Sequence, residues 1–412
     1  MMMRQLLTNI QQLILTEEPG AERTLVAGAD MKEMSYIGEA WLLVEDNRIH
    51  SFGKMEDLPE HFADETIDAT GRLLLPAWID AHTHLVFAAT REAEFVDRIN
   101  GLSYAEIARR GGGILSSARK MQDIDESELF DLSQQRLEAS MALGTGAIEI
   151  KSGYGLNMAS ELKMLRVIRR LKEYNKIPIK ASFLAAHDYP PEFRDNHEGY
   201  LRLIIEEMLP VVAAEGLADY MDVFCEQGFY SVAETDRLLS AGAKYGLKPK
   251  IHANQLHRSG GVQVGVKHNA VSVDHLESMG EAEVDALKGS TTMPVLLPGA
   301  AFFLGMHYQP ARMLIDAGLP VCLATDYNPG SCPSANMNLL LSIACTQLKM
   351  TPEEAVYAQT LNAAAALEMN RDLGSIAIGK KAHLILTKPV NSLAYLPYSF
   401  GENLIERVFL SK

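Results

Sequence analysis

At 412 residues, 47% hydrophobic and 22% charged, the chain is long enough for a large core plus a smaller second domain and has the composition of an ordinary globular protein. Its formal net charge of -15 disfavours a nucleic-acid surface or an anionic membrane as partner, so a cation needed in a pocket must be placed there locally. Cys225, Cys322, Cys332 and Cys345 form no Cys-x-x-Cys pair and are too sparse for a disulfide framework; with no signal-like or bilayer-spanning apolar run, a cytoplasmic protein is expected.

Up to about Glu65 the sequence predicts short strands at Gln12 to Thr16, at Trp41 to Glu45 and, after the Asp46-Asn47 turn, at Arg48 to Phe52. These cannot bury a sheet alone, and the tail offers a complement in Ala382 to Leu386 and Ile405 to Leu410. The expectation is a small discontinuous β-sandwich domain built from residues 1–72 and 364–412, with residues 73–363 inserted between its halves.

From Leu73 onward, apolar strand-like runs alternate with helical periodicity. The runs are Leu73 to Ile79, Gly146 to Ile150, Ile179 to Ala186, Tyr220 to Cys225, Lys250 to His252, Val271 to His275, Thr292 to Leu297 and Val321 to Thr325. Helical patterns include Glu126 to Leu143, Glu161 to Tyr174, Val232 to Tyr245 and Tyr308 to Ala317. This is the α/β pattern of a (β/α)₈ TIM-type barrel, whose chemistry sits at the carboxyl ends of its strands. At those ends the chain places His82 and His84, Lys151, His187, Glu226, His252, His275 and Asp326. Between the first two strands, the stretch from Thr90-Arg91-Glu92 to Gly111-Gly112-Gly113-Ile114 reads as a mobile or close-approach loop over the barrel mouth.

His82 and His84 follow an apolar run, and alternate residues of an extended segment face the same side, a geometry for holding a metal. With His252 and Asp326 they supply three neutral nitrogens and a carboxylate, enough for a divalent ion with a position left for water; zinc is the default and iron(II) the competitor. The reaction class is metal-assisted hydrolysis of a carbonyl or amidine carbon. His275, not needed as a ligand, is the candidate for activating the water or stabilising the oxyanion, and Asp326 could pass a proton to the leaving nitrogen.

Asp80-Ala81-His82-Thr83-His84, Lys250-Ile251-His252-Ala253, Val273-Asp274-His275 and Ala324-Thr325-Asp326 together resemble the metal-dependent amidohydrolase superfamily. Supporting stretches are Thr90 to Phe95, Gly111-Gly112-Gly113-Ile114, Lys151-Ser152-Gly153-Tyr154-Gly155-Leu156 and, more selective than a His-x-His pair, Leu296 to Leu304, Ala324 to Ser331 and Leu396-Pro397-Tyr398-Ser399-Phe400-Gly401. They are similar to the members that open the ring of 4-imidazolone-5-propanoate to N-formimidoyl-L-glutamate in histidine degradation. The resemblance implies a small-molecule carboxylate substrate and no nucleic-acid or membrane partner, and a homodimer is expected. It places Arg91, Tyr154, His187 and Gln255 around the substrate, and Asn328, Gly330 and Ser331 near the glutamate end of the product. Arg91 offers the substrate carboxylate a planar, bidentate partner.

One ion per chain is expected, because two-metal members commonly carry a carboxylated lysine where this chain has Cys225-Glu226; with two ions, Glu226 would be the bridge. Many members have Ala-Asp-Glu where this chain has Ala253-Asn254-Gln255, and an amide orients a ring but cannot act as a base. His383 stands where the superfamily usually has Asp, a position without catalytic meaning here. The competing readings are another cyclic amide or amidine amidohydrolase or deaminase, which would not require Arg91, and a non-catalytic barrel scaffold.

Overall fold

A computed structural model describes residues 4–60, 63–102, 106 and 112–411. The chain begins with strands β1 (Arg4–Ile14), β2 (Tyr36–Glu45), β3 (Arg48–Lys54), β4 (Glu65–Asp68) and β5 (Leu73–Pro76). It continues through β6 (Trp78–Asp80), β7 (Thr145–Lys151), β8 (Ile179–Ala186), β9 (Tyr220–Cys225), β10 (Lys248–Ala253), β11 (Ser272–His275), β12 (Met293–Leu296) and β13 (Cys322–Leu323), and ends with β14 (Leu384–Thr387) and β15 (Ile405–Phe409).

Strands β6 to β13 form an eight-stranded sheet hydrogen-bonded in chain order, and the pairings along it are parallel. Helices such as Glu126–Ala142, Met158–Tyr174 and Val232–Lys244 fill the crossovers close to where the periodicity predicts them. The ring is joined just beyond the strands, where Thr83 bridges Tyr327, His84 N donates to Tyr327 O (2.9 Å) and Asp326 N donates to His82 O (3.0 Å). One turn lower, the Asp80 carboxylate accepts from Thr325 N (3.0 Å) and Thr325 Oγ1 (2.6 Å). The seam of the barrel therefore runs through its metal-ligand candidates.

The other sheet has the order β15-β14-β5-β1-β2-β3, with β4 also on β1, and so draws strands from both chain ends. Its apolar face contains Leu7, Ile10, Leu13, Leu42, Val44, Leu74, Leu384 and Phe409.

One expected strand is divided. The Leu73 to Ile79 run is not a single barrel strand: Leu73–Pro76 pairs with β1 and β14 of the small sheet, and only Trp78–Asp80 joins the barrel. Pro76 has no N–H to continue a ladder. Beyond it, consecutive donors face opposite sheets, Ala77 N giving to His383 O and Trp78 N to Gly144 O, each at 2.9 Å. His383 reinforces this joint: its Nδ1 donates to Gly146 O (2.9 Å) and its Nε2 accepts from Ser411 N (3.3 Å).

Of the loop expected over the barrel mouth, residues 103–105 and 107–111 lie outside the described residues. Its entry is the helix Glu92–Ile99 and its exit Gly113, whose φ of +78° suits glycine, before the helix Ile114–Asp123. Among the described residues no helix is long and apolar enough to cross a membrane.

Gly144 marks a close approach between the two sheets. Its φ is +97°, and a Cβ there would stand 2.7 Å from Ile405 Cδ1, 2.8 Å from Ile385 Cδ1 and 2.9 Å from Trp78 Cδ1. Strain and overpacking combine, so Gly144→Ala is expected to lower the unfolding free energy by about 2–4 kcal/mol in a urea titration. An unchanged midpoint would mean that the two sheets can separate slightly at no cost.

Candidate active site and metal centre

Four buried side chains converge at the barrel seam. His82 and His84 leave β6, His252 lies in β10 and Asp326 follows β13. Asp326 Oδ1 stands 3.6 Å from His82 Nε2 and 3.7 Å from His84 Nε2, while His84 Nε2 and His252 Nε2 are 3.3 Å apart. Burial, followed by the neighbouring positive groups, pushes the basicity of His82 and His84 well below that of a free imidazole, and burial also lowers that of His252. All three are therefore neutral and offer nitrogen lone pairs.

Which nitrogen is offered is decided from below. His82 Nδ1 donates to Asp274 Oδ2 (2.6 Å) and His252 Nδ1 to Asp222 Oδ1 (3.1 Å), so each ring turns Nε2 toward the centre. Among the described residues, His82 Nε2 is buried with no hydrogen-bond partner. Neutral imidazoles oriented by carboxylates, a fourth anionic donor and an unpartnered inward-facing nitrogen together fit a divalent metal ion.

Beneath these donors lies a layer of charge absent from the expected site residues. Lys151 Nζ contacts Glu149 Oε1 (2.7 Å) and Asp222 Oδ2 (2.8 Å) and stands 3.8 Å from Asp274 Oδ2. Lys250 Nζ donates to Ala81 O (3.0 Å) and lies 3.7 Å from Asp274 Oδ2. Burial works against the charge on Lys151, but Asp222, Glu149 and Asp274 outweigh it and raise its pKa; Lys151 in turn holds Asp222 well below the usual carboxylate range despite burial. Lys151, noted from the sequence only as a residue at a strand end, thus belongs to the support of the centre. The sequence does carry a signal for this layer, in charged residues two apart inside apolar strands: Glu149 and Lys151, or Lys250 and His252.

Above the donors opens a cavity of about 580 Å³, lined among others by Arg91, Tyr154, His187, Gln255, His275, Asp326, Asn328, Gly330 and Ser331. The expected substrate contacts are therefore gathered on one wall-to-wall space with the metal donors His84 and His252. His187 stacks on His84 with ring centroids 5.0 Å apart, and its Nδ1 donates to Gly153 O (3.0 Å), which leaves Nε2 as an acceptor. Burial pushes the His187 pKa down to about 3, so the ring is neutral. Tyr154 is buried beside both rings. Asn328 is saturated inside its own loop: Nδ2 donates to Asp326 O and Ser331 Oγ, each at 2.6 Å, and Oδ1 accepts from Gly330 N (2.8 Å) and Ser331 N (2.7 Å). In this state Asn328 shapes the wall and has no donor left for a ligand.

Residues 73–409 match the Amidohydrolase family. Imidazolonepropionase of Christiangramia forsetii is 53% identical over 406 residues, 98% of each chain, and imidazolonepropionase of Flavobacterium johnsoniae is 54% identical over 405 residues, again 98% of each. The chain belongs to the imidazolonepropionase family of amidohydrolases. More distant folds agree: Escherichia coli guanine deaminase superposes with a TM-score of 0.74 at 14% identity, covering 100% of this chain and 97% of its own. A zinc-bound adenosine deaminase from Xanthomonas campestris gives 0.71 at 16%, covering 98% and 91%.

Against that family background, the Glu226 carboxylate accepts from Gln227 N (2.8 Å), Leu256 N (2.8 Å) and His257 N (3.3 Å), so it organises the loop after β10 and joins none of the described donor clusters. His275 does join one: a ring nitrogen lies within 4.8 Å of nitrogens of His82 and His252. Glu277, missed in the sequence, stands behind it, 3.5 Å from His275 Nδ1 and accepting from Gln309 Nε2 (2.8 Å). Burial opposes a charge on His275, but Glu277, then Asp326 and Asp274, outweigh it and raise its pKa. Only the two-residue spacing in His275-Leu276-Glu277 could have pointed to this pair.

Replacing Asp274 by Asn removes the anion that orients His82 and leaves Lys250 with a weaker partner. Metal affinity should fall by about 10- to 100-fold, measured by competition with a chelator of known affinity. Unaltered affinity would show that β11 does not orient the centre.

Proposed function

We propose that the protein hydrolyses 4-imidazolone-5-propanoate to N-formimidoyl-L-glutamate, water adding to the ring carbonyl carbon while the bond from that carbon to the ring nitrogen breaks. The observation that carries this reading is the joining of one cavity to both a three-histidine, one-carboxylate donor set and a partly buried arginine, in a chain more than half identical to imidazolonepropionases over almost its whole length.

In this reading His82, His84, His252 and Asp326 hold one divalent ion, zinc by preference and iron as the alternative. When bound, such an ion polarises a carbonyl and lowers the pKa of water to about 7. Zinc is favoured by the nitrogen-rich donor set and by its presence in the Xanthomonas campestris fold relative.

The chain's own residues supply positioning and proton transfer. The Arg91 guanidinium grips the propanoate, His187 Nε2 accepts a ring N–H, Tyr154 packs against the ring and Gln255 orients it through its amide. Gly330 is part of the grip: a Cβ there would lie 1.1 Å from an Arg91 terminal nitrogen, so only glycine lets the guanidinium cross that backbone. Ser331 Oγ, 3.1 Å from Asp326 Oδ2, and Asn328 fix the loop between the arginine and the metal donors. His275 takes the proton of the attacking water, with Glu277 behind it to stabilise the cation that forms. Asp326, an anion when it serves as a ligand, receives the water's remaining proton as the ring carbon is attacked and passes it to the departing nitrogen. Gln255 cannot take either proton.

The direct test is to follow the ultraviolet absorption of the imidazolone ring with metal-loaded protein; absence of turnover would overturn the assignment, and deamination of a cyclic amidine would favour the competing one. With the activity in hand, His275→Asn should lower turnover by about 10²- to 10⁴-fold with metal content unchanged, and Gln255→Ala by less. The proton assignment fails if Gln255→Ala is the more damaging. Arg91→Lys keeps the charge but loses the fork, so KM should rise while metal content stays constant. Elemental analysis should give one tightly held ion per chain; two would bring Glu226 back as a bridge.

A further inference from the structure

We propose that Arg98 is a second guanidinium for the substrate carboxylate and that, with Arg91, it makes the site selective for a ring bearing an acidic side chain. The inference rests on the reading of the substrate as an imidazolone propanoate. Arg91, Glu94 and Arg98 follow one another at spacings of three and four residues, the spacing of one face of the helix Glu92–Ile99, and all three line the cavity above the metal donors. The opposite face holds Val96 and Ile99 out in solvent.

Both arginines converge on Gly330. The Arg91 guanidinium occupies the space beside its Cα, and Arg98 donates from a terminal nitrogen to its carbonyl oxygen (3.0 Å) while lying over the Phe303 ring, 5.2 Å from the centroid. Among the described residues that is the only hydrogen bond of the Arg98 side chain. Glu94 lies beside the pair, but its Oε2 is 3.8 Å from Arg91 Nε and its Oε1 already accepts from Gly113 N (3.1 Å). Among the described residues, Arg91 Nε is buried with no hydrogen-bond partner.

Two guanidinium groups beside one shared carboxylate leave an excess of positive charge in a partly desolvated wall of a protein whose net charge is -15. An anionic ligand group restores the balance, and a carboxylate is the planar acceptor that matches a guanidinium fork. The loop from Asp326 to Gly330 connects the two ends of the site, which places this charge where the end of a side chain on the ring would reach while the ring itself faces the metal donors. Arg91 grips that carboxylate directly. Arg98, braced on Phe303 and the Gly330 carbonyl, closes on its outer side.

The test compares wild type with Arg98→Met and Arg98→Lys on imidazolone propanoate and on the same ring without the propanoate, and measures the binding of glutarate by calorimetry. Arg98→Met should raise KM for imidazolone propanoate by about tenfold or more and weaken glutarate by a similar factor, with Arg98→Lys between the two. The loss toward the unsubstituted ring should be at least about fivefold smaller, since the lost contact is charge-assisted and made to the side chain alone. Equal losses on both rings would assign Arg98 to loop structure and overturn the proposal. So would unchanged glutarate affinity in Arg98→Met, or no glutarate binding to wild type. If wild type fails to open imidazolone propanoate yet binds glutarate in an Arg98-dependent way, the proposed reaction falls and the carboxylate site stands.

Discussion

The ammonium of Lys151, fully buried between Glu149 and Asp222, is the interaction on which the rest of the centre depends. A lone charge in such a place would cost several kcal/mol, and removing one partner of a buried pair is far more damaging than removing a surface one. The network escapes that penalty because every member has several partners: Glu149 also accepts from Ser182, Asp274 from Ser272, and Lys250 from its position over Tyr220 reaches the Ala81 carbonyl. Its output is orientation. Asp222, pinned through Oδ2 by Lys151, presents Oδ1 to His252, and Asp274, held through Oδ1 by Ser272, presents Oδ2 to His82 with both lysines beside that oxygen, so the imidazoles are aimed before any ligand arrives.

The backbone at the barrel mouth shows what that arrangement demands. Asn254, His275, Leu276 and Asp326 all have φ between +55° and +87°, although none is glycine. Such conformations cost of order 1–3 kcal/mol each and persist only where the surroundings fix them. Here main-chain bonds do so: Leu276 N to Ala253 O (3.2 Å), Ser278 N to Asn254 O (2.8 Å) and Asp326 N to His82 O (3.0 Å). The strands stop, the chain turns sharply, and His275 and Asp326 are delivered into the cavity from neighbouring sectors of the ring. Two of these four residues, His275 and Asp326, bear the proposed proton transfers.

The small sheet contributes from the opposite end. It takes the chain just before β6, hands it over at Pro76 and Ala77, and is fastened to β7 through His383 and Gly146. The first barrel strand is only three residues long, too short to hold His82 and His84 by its own ladder. Anchoring on the sheet below and on Asp80 and Thr325 beside it compensates for that brevity.

Sequence alone determined what local pattern and residue chemistry can encode. Alternation of apolar runs with helical periodicity led to the eight-stranded barrel, and the rule that barrel chemistry lies at strand ends collected His82, His84, His252, His275 and Asp326. The two-residue spacing of His82 and His84 conveyed a shared direction, and the family resemblance implied Arg91 as a carboxylate partner. Tertiary structure decided what depends on residues far apart in the chain. No periodicity distinguishes Leu73–Pro76 from Trp78–Asp80, because both are apolar and extended; the pairing partners, His383 and Gly144, are distant in sequence and assign them to different sheets. In the layer of Glu149, Lys151, Asp222, Lys250 and Asp274 only the two-residue spacing of Glu149 and Lys151 is legible in the sequence; Asp222 and Asp274 come within reach of the lysines only when separate strands lie side by side in the ring. The same holds for Arg98 and Gly330, separated by more than half the chain and joined by a single hydrogen bond at the mouth of the site.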